Sequence, residues 1–256
     1  MFQIKNIIPG IPRLKIVDVG ASFIETEEPY SPLLRTLECD IVGFEPVEKE
    51  LAKLQQNASS NQTYLPYVVG DGSDGMFHQC NETVTSSLFE PDQETIDLFQ
   101  MLGEFTKVVE RTPVSTKRLD DIPEVLGTDY LKLDVQGAEL MVLKGAEKLL
   151  QGISVIHTEV EFVPLYRNQP LFAEIDSFLR TQGFLFHRFT GVSGRTFKPL
   201  YDRRNGAAAL SQSLWADAVF VKDFRAFDQL EPSLLVKLAA ILHENYRSLD
   251  LAALAL

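Results

Sequence analysis

The sequence predicts an α/β fold built on a doubly wound, largely parallel sheet. Three observations carry this. Short apolar runs with strand character alternate with amphipathic helical runs along most of the chain. The stretch Tyr130 to Leu150 shows the repeating unit in full. A strand breaks at Gln136-Gly137 and restarts as a helix with Leu140, Met141 and Leu143 as its apolar stripe. Finally, four of the strand-like runs end on or beside a carboxylate: Asp18, Glu45, Asp71 and Asp134. In a parallel sheet those ends share one edge, which is where open α/β sheets place ligands.

The elements follow in order. LKIVDV (14–19) is an apolar strand ending on Gly20, with Asp18 its one charge. DIVGF (40–44) is the second strand, stopped by Glu45-Pro46, and a helix follows with Val47, Leu51 and Leu54 on one face. Tyr64 to Val69 reads as a third strand. It carries Pro66, which cannot donate to a ladder, so it belongs at the sheet edge. Residues 72–118 break the alternation and predict an inserted ribbon or flap, with a short helix around Pro91 to Leu102. Leu119 to Leu126 is a brief helical turn before the central strand. ISVIHTEVEF (153–162) is the next strand, with Ile156, Val160 and Phe162 on one face and Val155, His157, Glu159 and Glu161 on the other. A helix over 172–182 closes on Gly183. Strands at 184–189 and 216–221 flank a long polar loop, and an amphipathic helix over 232–246 ends the pattern, giving about seven strands in all.

Composition narrows the function classes. The chain has 256 residues, 45% hydrophobic and 23% charged, the balance of an ordinary globule. With 24 Lys and Arg against 36 Asp and Glu it carries −12, which repels phosphate backbones and argues against nucleic acid as a partner. No run is long enough to span a bilayer and no signal peptide is evident, so a cytoplasmic location is expected. The two cysteines are expected to be unpaired core thiols, and the four histidines show no metal-ligand spacing.

A carboxylate after the second strand suits a pair of ribose hydroxyls, because it accepts two hydrogen bonds. Glu45 fits that role for any adenosyl cofactor. GASFIET after the first strand lacks the further glycines that let a backbone approach a pyrophosphate, which favours a cofactor without phosphates.

IVDVGAS, GFEP, TSSLF, RLDDI, YLKLDVQGAELMVLKGA and TEVEF, in that order over about residues 14–190, with ADAVFV at 216–221, resemble the FkbM family of S-adenosylmethionine-dependent methyltransferases. The KLDVQGAEL block is the most specific part. The resemblance implies a class I methyltransferase fold: one Rossmann-like domain over 1–256, with a seven-stranded sheet and a C-terminal antiparallel hairpin. It implies S-adenosyl-L-methionine as cofactor and a sugar or other small-molecule hydroxyl as acceptor. Asp18, Gly20 and Ala21 would lie under the methionine part, Glu45 and Pro46 at the ribose, Asp71 and Gly72 near the adenine, and Ser87 on the pocket wall. Asp134 would face the sulfonium and the acceptor. The chain departs from the pattern at Ile24, where a second glycine is usual.

Asp134, His157 and Glu159, with Glu161 beside them, are the candidates to take a proton from the acceptor. A divalent ion on some of these carboxylates would do the same work. Each residue also has a plain structural reading: Asp18 and Asp71 as turn residues, His157 as a satisfied core histidine, Lys132 as an ion-pair partner within the sheet, Glu139 as a helix cap. Two other function classes stay open here, a nicotinamide oxidoreductase and a non-catalytic binding module on the same fold.

Overall fold

A computed structural model describes residues 3–22 and 27–256. β1 (Leu14–Val19), β2 (Cys39–Phe44) and β3 (Gln62–Leu65) alternate with α1 (Ser31–Thr36) and α2 (Glu48–Asn57). Between β4 (Asp74–Cys80) and β5 (Val108–Ser115) lie two short helices, α3 (Gln93–Ile96) and α4 (Leu102–Phe105). The alternation then resumes with β6 (Tyr130–Leu133), α5 (Glu139–Lys144), β7 (Val155–Glu161) and α6 (Phe172–Thr181). β8 (Phe184–Gly194), β9 (Ser213–Lys222), α7 (Pro232–Ile241) and α8 (Leu249–Leu254) complete the chain.

Seven strands form one sheet in the order β3-β2-β1-β6-β7-β9-β8. The pairs from β3 through β7 are parallel, and β9 runs antiparallel to both β7 and β8. This is the predicted doubly wound sheet with its C-terminal antiparallel hairpin. Among the described strands β4 and β5 pair with each other, as a separate antiparallel ribbon.

Strand alternation divides the core in two. Leu14 and Ile16 of β1 join Tyr130, Val155 and the C-terminal helices on one face. Val17 and Val19 join Leu131, Leu133, Ile156 and the α5 and α6 side chains on the other. Ile175 and Leu179 of α6 are fully buried, each stabilising the fold by about 1.5–3 kcal/mol relative to exposure. Both cysteines are free and buried.

The third strand needs correction. It was expected over Tyr64 to Val69, but β3 covers Gln62–Leu65 and ends before Pro66. Proline has no N–H for the ladder, so it terminates the strand instead of sitting inside it. β3 does lie at the sheet edge. Its freed continuation, Tyr67 to Val69, turns toward the cavity described next. The two hairpin strands are longer than expected, because antiparallel pairing continues to Gly194 and Ser213 through several register shifts.

Candidate active site

A cavity of about 820 Å3 opens over the carboxyl ends of β1, β2, β6 and β7. Gly20 and Ser22 after β1, Glu45 to Val47 after β2, and Asp134 to Gln136 after β6 all reach its wall. Glu159 and Glu161 at the end of β7 complete that rim, and residues 82–88 of the inserted segment cover it. Gly20 is what lets two strand ends close together. Its φ is +85°, and a Cβ there would sit 1.9 Å from the Asp134 carbonyl oxygen.

Around the β2 end the wall sets two carboxylates, Glu45 and Glu50, among apolar groups. Glu45 is 7% exposed and accepts a hydrogen bond from the Val47 N–H at 2.6 Å. Burial, opposed by that bond, pushes its carboxyl up to about 7. The Tyr67 ring stacks against Phe44 at 6.3 Å, with the Lys117 ammonium 3.5 Å over its face. A flat base would find Tyr67, Val47, Val69 and Phe77 here, and a diol would find Glu45.

Around β6 and β7 the wall is acidic. The Gln136 side-chain amide donates to Asp134 Oδ1 at 2.9 Å and to Glu159 Oε2 at 2.6 Å, tying two carboxylates from neighbouring strands together. Its Oε1 accepts from the Tyr166 hydroxyl at 3.2 Å, and its backbone carbonyl accepts from Ser87 Oγ at 2.7 Å. Gln136 holds this position with a left-handed φ of +54°, a conformation uncommon outside glycine. Glu139 is buried and accepts from the Val135 N–H at 2.9 Å, and its carboxyl is pushed up to about 7, chiefly by burial. Glu159 and Glu161 are pushed well above the carboxylate range, first by burial and then by Asp134 and Glu139, with Glu161 adding to the shift of Glu159.

Glu45, Pro46, Gly20, Ser87, Asp134 and Glu159 thus reach one cavity. Others do not. Asp18 is 1% exposed beneath the rim, where it pairs with Lys132 Nζ at 2.9 Å and accepts from the Tyr30 hydroxyl at 2.8 Å. Burial works against the Lys132 charge, but Asp18, Asp134 and Glu28 outweigh it and raise the ammonium's pKa. Ala21 is packed under the rim, its N–H bonded to the Phe44 carbonyl at 3.0 Å. Asp71 accepts from Ser73 N at 3.0 Å and Oγ at 2.6 Å, closing its own turn, and Gly72 donates to Thr116 Oγ1 at 3.0 Å. Neither is on the cavity wall, because the chain turns away with β4 after Gly70.

His157 also faces elsewhere. Its Nδ1 lies 3.0 Å from the Tyr246 hydroxyl and its Nε2 3.7 Å from Asp217. It lines a second cavity of about 440 Å3 with Lys132 and Arg188, separated from the first by Asp134, which borders both. Ile24 lies outside the described residues. Among the described residues no group of three or more His, Cys, Asp or Glu side chains could hold a metal ion. No described helix is long and apolar enough to cross a membrane. Gln136, Tyr166, Arg195 and Trp215 line the cavity without having been singled out from the sequence. The Gln-Gly break after Asp134 was the one signal that could have raised Gln136.

Solved structures similar to this chain include the methyltransferase FkbM from Methylobacillus flagellatus KT, with 16% identity and a TM-score of 0.45. The match covers 83% of this chain and 45% of that one, so this chain spans less than half its length. Magnesium protoporphyrin IX methyltransferase from Synechocystis PCC 6803, solved with SAM bound, matches at 13% identity and a TM-score of 0.41, over 83% of this chain and 72% of that one. TrmK from M. capricolum, in complex with S-adenosyl-homocysteine, matches at 10% and 0.36, over 94% and 87%. No curated protein sequence matches. The methyltransferase FkbM domain matches residues 18–186, about two thirds of the chain, and on that match the chain belongs to the FkbM methyltransferase domain family.

Proposed function

We propose that this chain binds S-adenosyl-L-methionine in the large cavity and methylates a hydroxyl of a sugar or other small-molecule acceptor. One observation carries the reading. Glu45 and Asp134, from strands separated in the sheet by β1, stand on the wall of a single cavity with an apolar slot beside Glu45. The family match supports the same reading.

The residues fit the cofactor. Glu45, once ionised, accepts from both hydroxyls of a ribose, and Tyr67, Val47 and Val69 pack the faces of an adenine. Gly20 lets the β1 and β6 ends close together, which brings Asp134 to the rim beside the first loop. When bound, the cofactor supplies a methyl group that is already electrophilic because it sits on a positively charged sulfur.

The protein then has two tasks. It must hold an acceptor oxygen in line, about 3–3.5 Å from the methyl carbon, and it must take the hydroxyl proton. Glu159 is placed for the second. It stands on the cavity wall, the Gln136 amide fixes one of its oxygens at 2.6 Å, and its raised pKa means that, once ionised, it is a stronger base than an ordinary carboxylate. Asp134, tied to the same amide, stays near the positive sulfur.

Calorimetry tests the cofactor half. Wild-type protein is expected to bind S-adenosyl-L-methionine, and Glu45→Ala to weaken it at least about tenfold, since each hydrogen bond to a charged group contributes about 1.5–3 kcal/mol. Equal affinity for the two proteins would count against the reading.

A further inference from the structure

The large cavity holds more carboxyls than the cofactor's own positive charges and a neutral hydroxyl acceptor call for. Its wall carries Glu45, Glu50, Glu82, Asp134, Glu159 and Glu161. Among the described residues on that wall, Arg195 is the one cation against six carboxyls, and its buried Nε makes no hydrogen bond among the described residues. Its guanidinium lies 4.9 Å over the Trp215 ring and donates to the Gly194 carbonyl at 2.9 Å.

Glu161 adds an independent observation. It is 2% exposed, it lines the cavity, and its Oε2 makes no hydrogen bond among the described residues. Its neighbour Gln169 favours its charge, while Glu139 and Asp134 oppose it. A buried carboxyl oxygen with no donor is costly, and a ligand donor in the cavity would satisfy it. Glu159 stands two residues away on the same strand, also on the wall, with only one of its oxygens bonded to Gln136.

We propose that the acceptor carries a protonated amine, an amino alcohol or amino sugar in class, and that Glu159 and Glu161 bind its ammonium at the β7 edge of the cavity. This rests on the methyltransferase reading of the site. An ammonium offers three donors and a positive charge, which suits two carboxyls at close range. It would also let them ionise together, so binding releases protons. The groups facing this pair are Asp134 after β6, Glu139 of α5, Asp217 of β9, Tyr166 and Arg195.

The test uses the full chain loaded with S-adenosyl-homocysteine, and titrates it with aminocyclohexanol and, separately, the matching cyclohexanediol. Loading is measured first. If S-adenosyl-homocysteine does not bind, the methyltransferase reading itself has failed. With the cofactor product in place, the amino alcohol is expected to bind at least about tenfold more tightly than the diol. It should shift the carboxyl resonances of isotope-labelled Glu159 and Glu161, and release protons to the buffer. Glu161→Gln, and Glu159→Gln as the less buried second variant, should each reduce that preference. Equal affinity for the two probes, no binding of either, or a preference untouched in both variants would overturn the proposal.

Discussion

At Gly20 the backbone has a φ of +85°, and any side chain would begin 1.9 Å from the carbonyl oxygen of Asp134. That atom belongs to the neighbouring strand end, so it cannot swing away as a flexible side chain would. Gly20→Ala is therefore expected to cost about 2–4 kcal/mol, the range of strained positive-φ and overpacking substitutions combined. Because the clash pries β1 from β6 at the rim, cofactor affinity should fall with stability. Urea denaturation and calorimetry would check both, and a variant of wild-type stability would refute the account. At the same scale the sequence shows Glu45 and Asp134 directly after strands and Glu159 near the end of one, and the structure sets all three on the wall of one cavity. Asp18 and Asp71 carry the same signature. Yet one is consumed by Lys132 and Tyr30, and the other by Ser73. Residue type and spacing do not tell which partners a side chain will meet.

The elements that cover the site come from the inserted segment. Ser87 links it to the rim by donating to the Gln136 carbonyl at 2.7 Å, and it also accepts from the Phe89 N–H at 2.9 Å. Tyr166 makes a parallel link, donating to the Thr85 carbonyl at 2.9 Å. Ser87→Ala removes the first link and leaves a partly buried carbonyl without its donor, at a cost of about 1–2 kcal/mol. The expected signature is local: faster amide exchange over residues 82–88, with the central strands unchanged. Uniform protection across the cover would show that the serine does not hold it. The β4-β5 ribbon was legible only as a break in the strand-helix alternation. Its position could not be read, because nothing local specifies where a two-stranded ribbon packs.

The molecule as a whole concentrates carboxyls on one edge, and this sets its response to pH. Glu28, Glu45 and Glu139 are each pushed up to about 7, chiefly by burial. In the unfolded chain such groups titrate near ~4.3. Between those values the folded state holds more protons than the unfolded one, so stability falls as pH rises. The thermal midpoint of the ligand-free protein is expected to be higher near about pH 5.5 than near about pH 8. A midpoint that rises over that interval would show that the carboxyls ionise in the fold as freely as in water. By itself the sequence determined the sheet class, the parallel run of strands and the acidic strand ends, because hydrophobic period and turn residues act locally and leave a local trace. Only the tertiary structure decided which of those carboxylates share a cavity, that His157 faces the other side of Asp134, and that Gln136 ties Asp134 to Glu159. Those facts depend on strand register, side-chain direction and burial, which arise from contacts between residues far apart in the chain.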